Sequence, residues 1–243
     1  MKKLIIFDAY GTLISTGTGS LDAAAKILSL ADSSLQPELF YGEWKKLHRK
    51  HMAEANRMGF MTEKEIFRKD LETLYEQHSI KRAAGADVEI MLATLGQRRA
   101  FEGTPRLLAQ LREKYTVVIG SNSDTAPLME DIRRNGLETD SVFTSEKLRK
   151  YKPDRQFYDL LLKECGFLPE DTVFVGESLM EDVSGPAAAG IPAILVDRRR
   201  EYKAVRKGPQ PLAVVHSLCA LSSVLTIPGS PAGTGLGKCH TSF

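Results

Sequence analysis

The chain has 243 residues, 42% apolar and 26% charged, with 33 basic and 31 acidic side chains and a formal net charge of +2. Nothing in that balance points to nucleic acid or an anionic bilayer as a partner, and no apolar run approaches the length of a membrane span. MKKLIIF at the N-terminus lacks the apolar stretch and cleavage site of a secretory signal, and Cys165, Cys219 and Cys239 show neither metal-ligand nor dense disulfide spacing, so a cytoplasmic protein is expected.

The first element is the short apolar run LIIF (4–7), which predicts a strand buried on both faces. From residue 19 to 99 the pattern changes to four amphipathic helices: GSLDAAAKIL, then ELFYGEWKKLHRKHMAEANRMG, TEKEIFRKDLETLYEQHSI and the stretch ending ADVEIMLATLG. Thr62 and Glu65 have the spacing of a capping box at the start of the third. After FEGTP the pattern alternates again. PRLLAQLREK (105–114) is a helix with Pro105 in its first turn, YTVVIG (115–120) a strand, and 125–135 a helix. SVFTSE (141–146) opens with a short strand, and PDRQFYDLLLKECG (153–166) is a helix closed by Gly166. DTVFVG (171–176) and IPAILV (191–196) are strands, separated by a helix-like stretch that Gly185 and Pro186 start or kink. PLAVVHSL (211–218) adds an edge strand, and the glycine- and proline-rich stretch 227–243 reads as a loose tail.

Strands alternating with helices predict an α/β fold, a Rossmann-like parallel sheet covered on both faces. Residues 1–18 and 100–226 form the core in this reading, and residues 19–99 form a helical cap over the carboxyl edge of the sheet, where open α/β sheets bind ligands. The alternative is a helical subdomain that only adds stability.

Each apolar strand runs into polar residues at that edge. The first ends at Asp8, and YTVVIG leads to Ser121 and Asn122. KYKPD supplies Lys152, and VFVGESLMEDVSG supplies Glu177, Ser178, Glu181 and Asp182. Alone, an aspartate at a strand end is often a cap, and a lysine before proline is usually solvated. Together and in order they make a site for a small anionic substrate and for a divalent metal.

Four stretches, DAYGTL (8–13), IGSNSD (119–124), KYKPD and VGESLMEDVSG (175–185), resemble in order the four motifs of the haloacid dehalogenase-like hydrolase superfamily, and the helical insertion resembles the family's first type of cap. The resemblance implies that Asp8 is a nucleophile forming a covalent ester that water hydrolyses. It implies that Ser121 and neighbouring backbone amides hold the transferring group, with Asn122 beside them, and that Lys152 neutralises charge. Gly11 permits the tight turn after the nucleophile, and Thr12 caps that turn.

Two departures divide the functional reading. Family phosphatases carry a second aspartate two residues after the nucleophile, to protonate the leaving alcohol. Here that position is Tyr10, as in the family's dehalogenases, whose halide departs unprotonated. Those dehalogenases, in turn, replace the fourth-motif acids and need no metal. This chain keeps Glu177 and Asp182, which with Asp8 and the Tyr10 carbonyl suit Mg2+. In the cap, the dehalogenases follow a tryptophan with an arginine; here Trp44 is followed by Lys45. The retained acids favour a Mg2+-dependent phosphatase of small phosphomonoesters, because two acids at metal spacing are costly to hold together without a cation. A metal-independent 2-haloacid dehalogenase is the alternative, and a catalytically weak ligand-binding member the next. Tyr41, Trp44, Lys45, His48 and His51 are candidate cap contacts, Trp44 also as packing; His48 and His51 read as surface histidines and Arg198–Arg200 as a solvated loop. A homodimer through apolar cap surface is allowed.

Overall fold

The computed structural model describes residues 3–203 and 208–225; the tail expected from residue 227 lies outside them. Its strands are β1 (Lys3–Phe7), β2 (Tyr115–Ser121), β3 (Ser141–Thr144), β4 (Thr172–Gly176), β5 (Ala193–Val196) and β6 (Ala213–Val215). They pair in parallel in the order β3-β2-β1-β4-β5-β6. β1 is central because its side chains are apolar on both faces. Ile5 and Phe7 pack with Leu108, Val117 and Val175 on one side, and Leu4 and Ile6 with Phe157, Leu161 and Phe174 on the other. The chain winds outward from β1 to β3, then returns to β4 on the opposite flank, so the winding reverses beside β1. Crevices in open α/β sheets lie at such a reversal, outside the carboxyl ends of the strands.

Four helices follow β1 as an inserted layer: α1 (Gly19–Leu30), α2 (Pro37–Met58), α3 (Glu63–Gln77) and α4 (Ala84–Leu92). They pack around Ile27, Phe40, Trp44, Leu71 and Leu74, a core separate from the two on the sheet. The capping box at α3 forms: the Thr62 N–H donates to Glu65 Oε2 at 2.7 Å and the Glu65 N–H to Thr62 Oγ1 at 3.3 Å.

The sheet's own helices are α5 (Thr104–Arg112), α6 (Thr125–Arg134), α7 (Ser145–Leu148) and α8 (Arg155–Cys165). After β4 a π-type turn, Leu179–Ser184, runs into α9 (Gly185–Ala188), where Pro186 sits in the first turn and needs no N–H partner.

The helical layer is tied to the sheet layer at three places. Asp124, before α6, accepts from the first backbone amides of α3, Glu63 N at 2.7 Å and Lys64 N at 3.0 Å. The Asn56 side chain pairs with both backbone groups of Tyr151. Asn135 Oδ1 accepts from Ala100 N at 2.7 Å, where the chain returns from α4. Among the described residues no helix is long and apolar enough to cross a membrane.

Candidate active site

The parallel register brings the carboxyl end of β1 beside those of β2 and β4, and Asp8 continues the ladder by donating its N–H to Val175 O at 2.9 Å. Asp8 is only 7% exposed. Thr12 Oγ1 donates to its Oδ2 at 2.9 Å, and Lys152 Nζ donates to its Oδ1 at 2.7 Å. The same ammonium donates to Asp182 Oδ1 at 2.8 Å, and the Ser178 N–H donates to Asp182 Oδ2 at 2.9 Å. One buried lysine thus bridges two buried aspartates. Burial alone would lower the Lys152 pKa, but the charges of Asp182 and Asp8 outweigh it and raise it. Burial raises the Asp182 carboxyl, and Asp8 adds to this while Lys152 opposes it.

Two glycines make room for this cluster. At Gly176 a β-carbon would lie 2.3 Å from Asp182 Cγ, so only glycine lets the π-type turn fold back over β4. Gly11 has φ +86°, and a β-carbon there would meet the Glu177 carboxyl at 2.2 Å. Glu177 is therefore laid over the first-motif turn. Its pKa is raised by burial and then by the charge of Asp8, with Arg198 and Arg199 opposing. Glu181 is raised by burial and by Asp8, with Lys152 opposing.

The predicted residues divide into three groups. Asp8, Thr12, Ser121, Lys152 and Asp182 are nearly closed to solvent at the strand ends. Gly11, Glu177, Trp44 and Lys45 line an adjoining cleft of about 1060 Å³ between cap and core. Tyr10 and Asn122 turn elsewhere. The Asn122 amide accepts from Lys152 N at 2.7 Å and donates to Lys152 O at 3.0 Å, which fixes the backbone carrying the lysine. Tyr10 Oη donates to Asp131 Oδ2 at 2.9 Å, and burial followed by the Asp131 charge raises the phenol far above its ordinary range.

In the cap, Trp44 is buried, with its ring edge-on to Phe40 and Phe67 and its Nε1 donating to Asp70 Oδ2 at 3.1 Å. The Lys45 ammonium lies 4.8 Å from the Tyr41 ring centre. The surface reading of His48 and His51 is corrected. Nδ1–H of His48 donates to Asp70 Oδ2 at 2.8 Å and Nδ1–H of His51 donates to Asp70 Oδ1 at 2.6 Å, so the two rings share one fully buried carboxylate. The expectation for Arg198 is corrected too. Its guanidinium lies 3.7 Å from the Phe101 ring centre and donates to the carbonyls of Gly11 at 2.9 Å and Thr12 at 2.7 Å, clamping the turn after Asp8. An arginine run after a strand gives no signal for this, because its partners are backbone groups 186 and 187 residues earlier.

Of the two acids retained in the fourth motif, Asp182 meets a cation of the chain itself and Glu177 does not bond to it. Lys152 is that cation for Asp8 and Asp182, and both Asp182 oxygens have partners. Among the described residues no three His, Cys, Asp or Glu side chains gather as a metal cage. Asp8 and Glu177 remain as a carboxylate pair in which one raises the other, and such oxygen donors suit a hard divalent cation.

Residues 2–190 match the family described as haloacid dehalogenase-like hydrolase. A glyceraldehyde 3-phosphate phosphatase of Methanothermobacter thermautotrophicus is 31% identical over 133 residues, 52% of this chain and 59% of that protein, so the match spans little more than half of the relative's length. A (S)-2-haloacid dehalogenase of a Pseudomonas species is 25% identical over 91% of this chain and 94% of its own. The L-2-haloacid dehalogenase of Xanthobacter autotrophicus, solved with chloropropionic acid covalently bound, superposes with a TM-score of 0.74 at 18% identity over 91% of this chain and 97% of its own, which is a shared fold.

Proposed function

The chain belongs to the haloacid dehalogenase-like hydrolases, and from that premise we propose that it hydrolyses the carbon–halogen bond of a short 2-haloacid through an ester on Asp8. One observation carries this reading over the phosphatase that the fourth motif suggested. The residue at the general-acid position, Tyr10, has its hydroxyl engaged by Asp131 and is held neutral by burial and that charge. It does not give up a proton at neutral pH, so the position favours a leaving group that departs without one. A halide does.

In the first step Asp8 Oδ attacks C2 of the haloacid; a C–O bond forms, the C–X bond breaks, and halide leaves with the electron pair. In the second, water adds to Asp8 Cγ, and the bond from Cγ to the ester oxygen breaks. The 2-hydroxy acid leaves with one proton of the water, the other proton is released, and the Asp8 carboxylate is regenerated. Lys152 and Thr12 orient Asp8 throughout, and Ser121 ends β2, the strand paired with β1 on one side. The full-length similarity to a haloacid dehalogenase supports the reading.

A second reading rests on the acids around Asp8. Burial and Asp8 raise both Glu177 and Glu181, an excess of negative charge that favours a cation, and three curated relatives are phosphatases and a fourth a 5'-nucleotidase. Asp8, the Tyr10 carbonyl and Glu177 would hold Mg2+, which would supply charge neutralisation for a phosphate. Here too Tyr10 restricts the substrate to leaving groups that need no protonation, such as acyl phosphates.

Protein stripped with EDTA, assayed on 2-chloropropionate and on a phosphomonoester panel with and without Mg2+, separates the two. The proposal expects halide release indifferent to EDTA and abolished by Asp8→Asn. Mg2+-dependent phosphate release without halide release overturns it.

A further inference from the structure

Arg98 lies where the chain returns from the cap to the core, and its side chain lines the cleft that Gly11 and Glu177 also line. Its guanidinium carbon sits 4.5 Å from the centre of the Tyr10 ring. Its Nε is buried without a hydrogen-bond partner. Among the described residues no carboxylate forms an ion pair with it. Glu63 is close enough for their charges to interact but is not bonded to it.

The backbone around this arginine is fixed on both sides. Asp131 Oδ1 accepts from Arg98 N at 2.8 Å, Asp131 Oδ2 accepts from Gly96 N at 3.3 Å, and Asn135 Nδ2 donates to Arg98 O at 2.8 Å. Asp131 is the same carboxylate that holds the Tyr10 hydroxyl. Arginine and ring are therefore placed together by one buried group. A buried cationic N–H without an acceptor is costly, and the half-buried guanidinium that carries it also borders the cleft, the side on which an anion can meet its charge.

We propose that Arg98, seated on the Tyr10 ring, is the group that binds the carboxylate of the substrate. The inference rests on the haloacid reading and adds the residue that recognises the acid. Tyr10 then has a function beyond the absence of an acid. An aspartate at that position would pair with Arg98 and neutralise it, whereas the aromatic face holds the guanidinium through a cation–π contact without cancelling its charge. The planar fork matches two carboxylate oxygens, which a lysine does not reproduce. No motif marks it: Arg98 lies outside all four, between Gln97 and Arg99 in GQRRA.

The test is equilibrium binding of 2-chloropropionate, and of uncharged 2-chloropropionamide, to Asp8→Asn protein, in which no turnover occurs. Arg98→Met keeps the side-chain stem against the ring and removes the charge; unchanged thermal unfolding confirms the fold. Adding it should weaken acid binding by at least about tenfold, the scale of one charge-assisted pair, and leave amide binding within about twofold. Arg98→Lys should restore only part of the loss. In otherwise wild-type protein, Arg98→Met should raise KM with kcat nearly unchanged. Equal acid affinity with and without Arg98, or no acid binding to the Asp8→Asn protein, overturns the inference. Halide release by the wild type judges the underlying reading separately.

Discussion

The hydroxyl of Tyr10 and the buried carboxylate of Asp131 are joined at 2.9 Å across 121 residues of sequence. That carboxylate also receives two backbone N–H groups from the segment returning from the cap. The residue two positions after Asp8 is thus a tie between the first motif and the segment that returns from the cap. Tyr10→Phe should cost about 1 kcal/mol in urea denaturation, the scale of one hydrogen bond, since Asp131 keeps two donors. Halide release should stay within a few-fold, because the ring under Arg98 survives. Tyr10→Asp should lower both stability and halide release, by placing a second carboxylate against Asp131 and near Asp8.

Lys152 is 2% exposed and has one carboxylate on each side. Lys152→Met should destabilise the fold by roughly 3–5 kcal/mol, because it leaves two buried acids without their cation. Asp8→Asn should be far milder in denaturation, since Lys152 keeps Asp182, yet abolish turnover. Comparing the two unfolding curves checks the difference; equal stabilities would refute the bridging role.

Arg198 reaches the Gly11 and Thr12 carbonyls through two separate nitrogens. Arg198→Ala should lower kcat/KM by about 10- to 100-fold by loosening the turn that aims Asp8. Arg198→Lys should recover little, because a single ammonium does not reproduce the two-pronged contact. A lysine variant with wild-type kcat/KM would remove Arg198 from the positioning machinery.

Burial raises the Glu63 carboxyl to about 6, with the charge of Asp124 adding to it and those of His48 and Arg98 opposing. Between its ordinary value of 4.5 and 6 the folded state binds more protons than the unfolded state, so stability from this group is greatest below that window and falls as pH rises through it. The difference, 6 minus 4.5, corresponds to a fall of about 2 kcal/mol. Glu63→Gln should flatten the stability curve over that range. Chemical denaturation of both proteins from pH 4 to 7.5 reads the effect directly.

How much of this was legible beforehand follows from the range of the interactions. The strands from LIIF to the edge strand, the four helices before FEGTP and the capping box at Thr62 are written in local periodicity and spacing, and local rules suffice for them. The order of strand ends also brings Asp8, Ser121, Lys152 and Asp182 to one edge without any coordinates, because parallel strands share a direction. Partner choice is another matter. Whether Asp182 faces a metal or Lys152, whether Tyr10 points at substrate or at Asp131, whether His48 is wet or bonded to Asp70, and whether Arg198 and Arg98 are solvated depend on contacts between residues 20 to 190 positions apart. Such contacts are set by packing of the cap on the sheet, and a charged side chain carries no mark in sequence of which distant oxygen it will meet. The sequence by itself determined the fold and the nucleophile's place in it; the tertiary structure decided which charges are already balanced, and so which chemistry remains open to them.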